Sequence, residues 1–213
     1  MTRISASDRR AALLEAAFRV IAAQGVSAAT TRAIVAEADM SLASFHYAFE
    51  SRDEMMRQLI GSVVENQAVA AFASLRYGSD IRTALRDGLQ AFFDVVVGDP
   101  AREQTMFELM QYSLRTPELR GLPREQYASY RNAVSGLLET AAADTGVTWL
   151  LPVDDVARIV VTITDGITLA WLADGDTAAA HRVIEVAATS LASLTRPLAG
   201  DPTLVPLRHP TSA

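Results

Sequence analysis

The chain has 213 residues, enough to bury a substantial core in one or two domains, and it lacks cysteine, which excludes disulfides, thiol chemistry and cysteine-ligated metals. No apolar run approaches the roughly 20 residues that span a bilayer, and no signal-peptide pattern opens the chain, so we expect a cytoplasmic protein without membrane attachment. The net charge of the chain is −6, but residues 1–57 hold seven Arg against seven acidic residues. The acidity therefore lies outside this part and does not oppose nucleic-acid binding by it.

The first predicted helix runs from about Ser7 to Gln24. Its apolar residues recur at i, i+3, i+4 and i+7, which is the spacing of one helical face. Gly25 is a natural stop, because glycine readily adopts the backbone that ends helices. The predicted inner face consists of Leu14, Ala17, Phe18 and Ile21.

Residues 30–52, TTRAIVAEADMSLASFHYAFESR, predict two short helices joined by a tight turn. Thr30 and Thr31 can cap the first of these helices, and Asp39 interrupts its pattern. This arrangement is typical of a helix-turn-helix. The first helix would direct Ile34, Val35 and Ala38 inward.

Ser41 is placed to cap the second short helix, Leu42 to Ala48. Phe45 and Phe49 are separated by one helical turn and can hold this helix against its neighbours. The opposite side would then suit insertion into a DNA major groove. That side presents Leu42, Ala43, Ser44, His46 and Tyr47.

Ser51 and Glu54 form the S-x-x-E pattern of a capping box, which starts a fourth helix. The helix is expected to continue to about Leu75, long enough to leave one domain and enter the next. It can therefore act as a lever between the two. Its inner face would include Met55, Leu59 and Val63.

Five more helices and no convincing strand are predicted in the rest of the chain, so the expected fold is all-α. A fifth helix follows a cap at Ser79 or Asp80 and ends at Gly98. Four prolines from Pro197 onward predict a disordered tail. The remaining helices are expected at about Ala101–Arg115, Pro123–Ala143, Asp154–Ala173 and Thr177–Thr195.

The last two predicted helices carry more apolar and small residues than one contact within the chain requires. Close pairing with a second copy of the chain would explain the surplus. The alternative is a buried helical hairpin in a monomer.

Several unrelated residue types fall at fixed spacings between residues 8 and 60, and together they resemble the DNA-binding domain of the TetR family of one-component repressors. Asp39 stands where the family usually has a turn glycine, and it can adopt the required left-handed backbone. Leu42 replaces a frequent basic residue, and His46 a frequent tyrosine. The matching places are Gly25, Thr30-Thr31-Arg32, Ile34-Val35, Asp39-Met40-Ser41, Phe45-His46-Tyr47-Ala48-Phe49 and Arg52-Asp53-Glu54.

The resemblance implies a repressor that binds a palindromic double-stranded DNA operator as a homodimer, paired through the last two helices, and that responds to a small-molecule effector. The implied organisation is a three-helix helix-turn-helix domain over residues 1–50, a larger helical effector-binding and dimerisation domain over 51–196, and a disordered tail over 197–213. The effector would change the separation of the recognition helices mainly by tilting the fourth helix. No cofactor is implied.

The residues expected to meet DNA lie on and beside the two short helices. Arg32 could take a guanine edge in bidentate fashion, and its alternatives are an ordinary phosphate contact or a surface ion pair. Leu42 and Ala43 could contact a thymine methyl group. The full set is Thr31, Arg32, Ser41, Leu42, Ala43, Ser44, His46, Tyr47 and Arg52.

The second domain has aromatic, methionine and polar side chains within apolar helices, which is the composition of a small-molecule pocket. The alternative for each is an ordinary core, solvated or paired residue. The resemblance favours the pocket, because family members usually enclose an effector in this domain. The candidates are Phe92, Phe93, Met106, Phe107, Met110, Gln111, Tyr127, Tyr130, Arg131, Thr162 and Asp165.

The sequence also bears on two other classes of protein. A helical ligand-binding or interaction module that has lost DNA binding is favoured by the absence of lysine, by Leu42 and by the net charge. An enzyme is not expected, because there is no catalytic constellation, no phosphate-binding glycine loop, and only three histidines for a metal site.

Overall fold

A computed structural model of the protein describes residues 5–61 and 80–198, and this part of the chain is almost entirely helical. The predicted all-α class is confirmed. The helices are α1 (Ala6–Gln24), α2 (Thr31–Glu37), α3 (Leu42–Ala48), α4 (helical over residues 52–61), α5 (Ile81–Gly98), α6 (Pro100–Arg115), α7 (Gly121–Thr145), α8 (Val153–Asp174) and α9 (Thr177–Ala192), with 3₁₀ turns at Val26–Ala28 and Pro117–Leu119.

Helices α1 to α4 enclose one hydrophobic core, which also takes in Met106 and Leu109 from α6. The core-facing stripe of α1 lies about one residue earlier than predicted, and the helix packs against α2, α3 and α6. Leu14 and Phe18 are only partly buried. The buried positions of α1 are Leu13, Ala16, Ala17, Val20 and Ile21.

Helix α4 begins as the capping pattern predicted. The Ser51 hydroxyl accepts a hydrogen bond from the Glu54 amide at 3.1 Å, and the Glu54 carboxylate accepts one from the Glu50 amide at 2.7 Å. Met55 and Leu59 are buried as expected. The predicted continuation through Val63 to Leu75 lies outside the described residues.

Helices α5, α7, α8 and α9 enclose a second core. On α5, Phe93 is fully buried, whereas Ile81 and Phe92 are only partly buried. Helices α7 and α8 extend slightly beyond their predicted limits. These helices form the layer in which a cavity opens.

A short antiparallel pair of strands, β1 (Val147–Trp149) and β2 (Thr195–Pro197), ties the end of α7 to the end of α9. The expectation of no strand is wrong here, and so is the extension of the last helix to Thr195. Gly146 ends α7 with a left-handed backbone at φ 67°, which turns the chain into β1. Pro197 sits in β2, and residues 199–213 of the predicted tail lie outside the described residues.

Helix α8 is long and apolar enough, by length and composition, to cross a membrane, with a mean hydropathy of 1.5 over its most apolar stretch. Only 28% of that stretch is buried within the protomer. One such helix in a chain with two packed cores is weak evidence for a membrane span. It does establish that α8 leaves an apolar face uncovered.

Candidate DNA-reading surface and effector cavity

The two short helices are fixed by their caps and by the turn between them. The Thr30 hydroxyl accepts a hydrogen bond from the Ala33 amide, and the Ser41 hydroxyl accepts one from the Ser44 amide, both at 3.2 Å. Asp39 has φ 51°, the left-handed conformation expected where the family has glycine. The helix-turn-helix predicted from the sequence is therefore present.

Helix α3 has one buried and one exposed face. Phe45 and Phe49 are 1% exposed, with ring centroids 5.5 Å apart, and they anchor the helix in the first core. On the other face Tyr47 is 69% and Leu42 44% exposed. Ser41, Ala43 and His46 are exposed and Ser44 is half-buried. Helix α3 is thus held by its aromatic residues and presents to solvent the side chains that were predicted to meet DNA. The contact of these side chains with DNA stays a prediction.

Arginine side chains flank this face. The Arg9 guanidinium lies 5.0 Å from the centroid of the Tyr47 ring, and Arg32 is exposed in the first turn of α2, next to half-buried Thr31. Arg10 donates to the Ala48 carbonyl and lies over the Phe49 ring. Since lysine is absent, these guanidinium groups are the local source of positive charge.

Arg52, predicted to contact DNA, is half-buried, and its guanidinium is hydrogen-bonded to groups of the protein. Its Nε donates to the Ala29 carbonyl at 2.7 Å and its Nη2 to the Val26 carbonyl at 3.0 Å. Its Nη1 donates to the Tyr112 hydroxyl at 2.9 Å. The geometry therefore supports a structural link and not a DNA contact. Neighbouring residues in the sequence gave no signal of it, because the partners are 23 to 60 positions away.

The segment Gly25–Ala29, between α1 and α2, is held by hydrogen bonds to two side chains. Arg52 binds its carbonyls, and the Glu108 carboxylate of α6 accepts a hydrogen bond from the Val26 amide at 2.6 Å. Gly25 has φ 82°, and a Cβ there would lie 3.0 Å from Glu108 Oε1, so the position favours glycine for both backbone and space. We call this segment, together with Arg52, Glu108 and Tyr112, the junction.

A cavity of about 190 Å³ lies among α5, α6, α7 and α8. Its walls are mainly aliphatic, aromatic and methionine side chains. Seven of the eleven predicted effector residues line it: Phe92, Met106, Phe107, Met110, Tyr127, Tyr130 and Asp165.

Four predicted effector residues lie outside the cavity lining. Phe93 is buried in the second core, where its ring meets Trp171 edge-on at 5.7 Å. Gln111 and Thr162 are exposed, and Arg131 is half-exposed on α7. The reason is helical phase: adjacent residues on an α-helix point about 100° apart, so the neighbours of Phe92, Met110 and Tyr130 face elsewhere.

Sequence reasoning missed four polar residues of the cavity: Glu103, Gln126, Thr164 and Thr168. Glu103 is 7% and Gln126 6% exposed. A usable signal existed on α8, where Thr164, Asp165 and Thr168 recur at the spacing of one face within an apolar helix. No comparable pattern marks Glu103, which lies in the first turn of α6.

Polar contacts within the cavity wall connect α7 and α8. The Tyr127 hydroxyl donates to Asp165 Oδ2 at 2.6 Å, and Gln126 Nε2 donates to the Tyr130 hydroxyl at 2.8 Å. Burial raises the pKa of Asp165 despite the opposing effect of the Tyr127 hydrogen bond. Burial, followed by Asp165, raises the pKa of Tyr127, so this hydroxyl stays protonated as a donor. In the described ranges no group of three or more metal-ligating residues was found.

Comparison with known families accounts for both halves of this arrangement. Residues 13–59 match the model of bacterial regulatory proteins of the tetR family, and residues 81–196 match the BetI-type transcriptional repressor C-terminal domain. The chain belongs to the TetR family. It is accordingly a DNA-binding transcriptional regulator and not an enzyme, as the sequence predicted.

Relatives of this TetR-family chain include a nicotine-responsive transcriptional repressor, HdnoR, from Paenarthrobacter nicotinovorans. The two are 34% identical over 173 residues, which cover 81% of this chain and 88% of HdnoR. Among solved structures, the multidrug binding protein EbrR in complex with imidazole is 28% identical with a TM-score of 0.66, covering 91% of this chain and 98% of EbrR.

A transcriptional regulator from Pseudomonas aeruginosa PAO1 has a TM-score of 0.72 at 18% identity, covering 90% of this chain and 94% of its own. This likeness shows the shared fold alone. The shared fold extends over the whole described chain and not only over the helix-turn-helix.

Proposed function

We propose that this regulator is a cytoplasmic homodimeric repressor whose affinity for a palindromic operator depends on a small molecule held in the cavity. The observation that carries the proposal is the dual role of α6. Phe107 and Met110 line the cavity, while Glu108 and Tyr112 of the same helix belong to the junction, where they accept hydrogen bonds from Val26 and Arg52. A ligand that displaces α6 would therefore displace the helix-turn-helix.

The proposed domain limits divide the chain by function, since the start of α4 shares the first core with α1 to α3. Residues 1–50 hold α1 to α3 and carry the reading surface, and residues 51–196 hold the cavity and the dimer surface. Met106 and Leu109 of α6 belong to the first core, so the boundary is bridged by side chains as well as by α4. These contacts favour a route through α6, in addition to the predicted tilt of α4, by which ligand binding in the cavity would move the helix-turn-helix.

The apolar face of α8 and α9 supports pairing between two copies. Leu169 on α8 is 58% exposed, and Val183 and Val186 on α9 are 49% and 66% exposed. Gly166 has open space beside it, which permits a second backbone to approach closely. Exposed Arg182 and Glu185 on the adjoining α9 make a lipid environment unsuitable and fit the polar rim of a protein interface.

Two copies related by a two-fold axis would present two α3 helices to DNA. Helix-turn-helix dimers contact half-sites whose centres are about 34–36 Å apart, one helical turn of DNA, or a multiple of this distance. We propose that Arg32, Leu42, Ala43, His46 and Tyr47 meet base edges and groove walls. Arg9, beside Tyr47, would contact the phosphate backbone.

The relatives support a small organic effector. HdnoR is described as nicotine-responsive, and EbrR was crystallised with imidazole and with malachite green. The cavity of this chain is apolar with a few fixed polar groups, which suits a small organic molecule. A coupling of about 1–3 kcal/mol between cavity and operator would change the affinity for the operator by roughly 5- to 150-fold.

The test is selection of duplexes from a random-sequence pool by the purified full-length protein, followed by sequencing. The proposal predicts enrichment of an inverted repeat, with salt-dependent binding of the selected duplex and weak binding of a scrambled one. Absence of enrichment, or a selected site without two-fold symmetry, would contradict it.

A further inference from the structure

The chemistry of the cavity wall restricts the effector further than its apolar character alone. Two carboxylate side chains reach the wall from different helices: Glu103 from α6 and Asp165 from α8. The wall contains no arginine or histidine among the described lining residues, and the chain has no lysine. The formal charge that the side chains bring to the cavity is therefore entirely negative.

The aromatic side chains reinforce this preference. Phe92, Phe107, Tyr127 and Tyr130 all line the cavity. The faces of aromatic rings carry partial negative charge and attract organic cations, with an interaction of about 2 kcal/mol or more when the cation is desolvated. An apolar cavity lined by rings and carboxylates is thus complementary to a lipophilic ammonium group.

Asp165 is held in a defined place in the cavity wall. Within the described chain, Tyr127 is its hydrogen-bond partner, and the bond is made by one carboxylate oxygen. Burial disfavours the charged form, as its raised pKa records. A bound cation would offset the cost of that buried charge, whereas a neutral apolar ligand would increase it by excluding water.

We infer that the effector site accepts a compact organic cation, a protonated or quaternary amine with an apolar or aromatic body, with Asp165 and Glu103 as its counter-charges. This inference rests on the proposed effector function and names the chemical class of the ligand. The volume of about 190 Å³ equals roughly six waters, below the usual range for ligand pockets, which favours a compact molecule.

The test compares two probes of equal shape and different charge, phenyltrimethylammonium and tert-butylbenzene. Binding to the full-length protein is measured by calorimetry, with tert-butylbenzene kept below its solubility. The cation is expected to bind at least about tenfold more tightly than its neutral isostere, because both ring and carboxylate contacts favour charge. Equal affinities, tighter binding of the neutral probe, or no binding of the cation would overturn the inference.

The variants Asp165→Asn and Glu103→Gln preserve side-chain shape and remove charge. Each should lower the affinity for the cation about tenfold and change that for the neutral probe by less than about twofold. The exposed Asp155→Asn and Glu139→Gln, on α8 and α7, are matched controls that should change neither. Unchanged cation affinity in both cavity variants would also overturn the inference.

Circular dichroism and thermal melting of each variant establish that it is folded. Operator binding is measured separately on the same preparations. Cation binding without sequence-specific DNA binding would contradict the proposed regulator and leave the cation site standing. Specific DNA binding with equal affinity for the two probes would overturn the cation site and leave the proposed regulator standing.

Discussion

The Glu108 carboxylate on α6 accepts a hydrogen bond from the Val26 amide, with 2.6 Å between oxygen and nitrogen. Phe107 and Met110, within two residues of Glu108 on that helix, line the cavity. The contact therefore links the wall of the effector site to the chain that leads into α2. It gives α6 a direct route for changing the position of the reading surface.

Glu108→Ala is expected to uncouple the cavity from the operator. The variant should retain the wild-type affinity for a cavity ligand within about twofold, because Glu108 does not line the cavity. In this variant, ligand binding should change the affinity for the operator by less than about fivefold, the lower limit of typical coupling. Operator titrations with and without ligand measure this. Glu118→Ala, an exposed change just beyond α6, is the control, and a full ligand response in Glu108→Ala would refute the route.

Arg32→Ala and Arg52→Ala should fail in different ways. Loss of the exposed Arg32 is expected to weaken specific operator binding by about 1–3 kcal/mol without changing the melting temperature. Specific and scrambled duplexes, titrated side by side, separate a base contact from a phosphate contact. Arg57→Ala, an exposed arginine on α4, is the control. Unchanged operator affinity in Arg32→Ala would remove this residue from the reading surface.

Arg52→Ala is expected to lower the free energy of unfolding by about 2–3 kcal/mol. The reason is that the change leaves the carbonyls of Val26 and Ala29 without their charged donor and removes the bond to Tyr112. Denaturant unfolding measures the loss. An Arg52→Ala protein of wild-type stability that had lost DNA affinity would restore the DNA contact predicted from the sequence.

Val186→Asp should dissociate the proposed dimer, because Val186 is 66% exposed in the protomer and would be buried against a second copy. A buried carboxylate without a partner is strongly unfavourable at such an interface. Sedimentation equilibrium is expected to show monomers for this variant and dimers for Val97→Asp, a 40% exposed position on α5. Dimers in both variants would move the interface away from α9.

Cation binding should weaken as pH falls, and at a higher pH than for an ordinary aspartate. Burial raises the pKa of Asp165, so its negative charge is lost earlier on acidification. The other titratable groups of the cavity wall are Glu103 on α6 and Tyr127 and Tyr130 on α7. Both tyrosines have raised pKa values and stay neutral. Phenyltrimethylammonium keeps its charge at every pH, so any dependence of its affinity on pH comes from groups of the protein. The variant Asp165→Asn should reduce this dependence.

The local elements were predictable because their causes are local. Caps at Thr30 and Ser41 and the left-handed Asp39 follow from side-chain chemistry within three or four residues. The helical phase was predicted less well: the sequence placed Phe92 and Phe93, and Tyr130 and Arg131, in the cavity, and of these only Phe92 and Tyr130 line it. A shift of one residue rotates a side chain by about 100°, which composition alone does not determine.

Long-range contacts were beyond sequence reasoning. The partners of Arg52 and Glu108 become neighbours only after α6 packs against α1 and the turn that follows it. The pairing of β1 with β2 likewise joins residues almost 50 positions apart. Neither helical nor strand periodicity in the sequence marks these residues. The junction and the strand pair are therefore visible only in the folded chain.

The most direct test of the account fills the cavity without knowing the effector. Because the chain has no cysteine, a Met110→Cys variant offers a single thiol in the cavity wall for a bulky thiol reagent. Leu114→Cys, 50% exposed on the same helix, is the matched control. The account predicts that labelling Met110→Cys changes the affinity for the selected operator at least about fivefold, whereas labelling Leu114→Cys does not. Equal operator affinity before and after complete labelling of Met110→Cys would contradict control of DNA binding by the cavity.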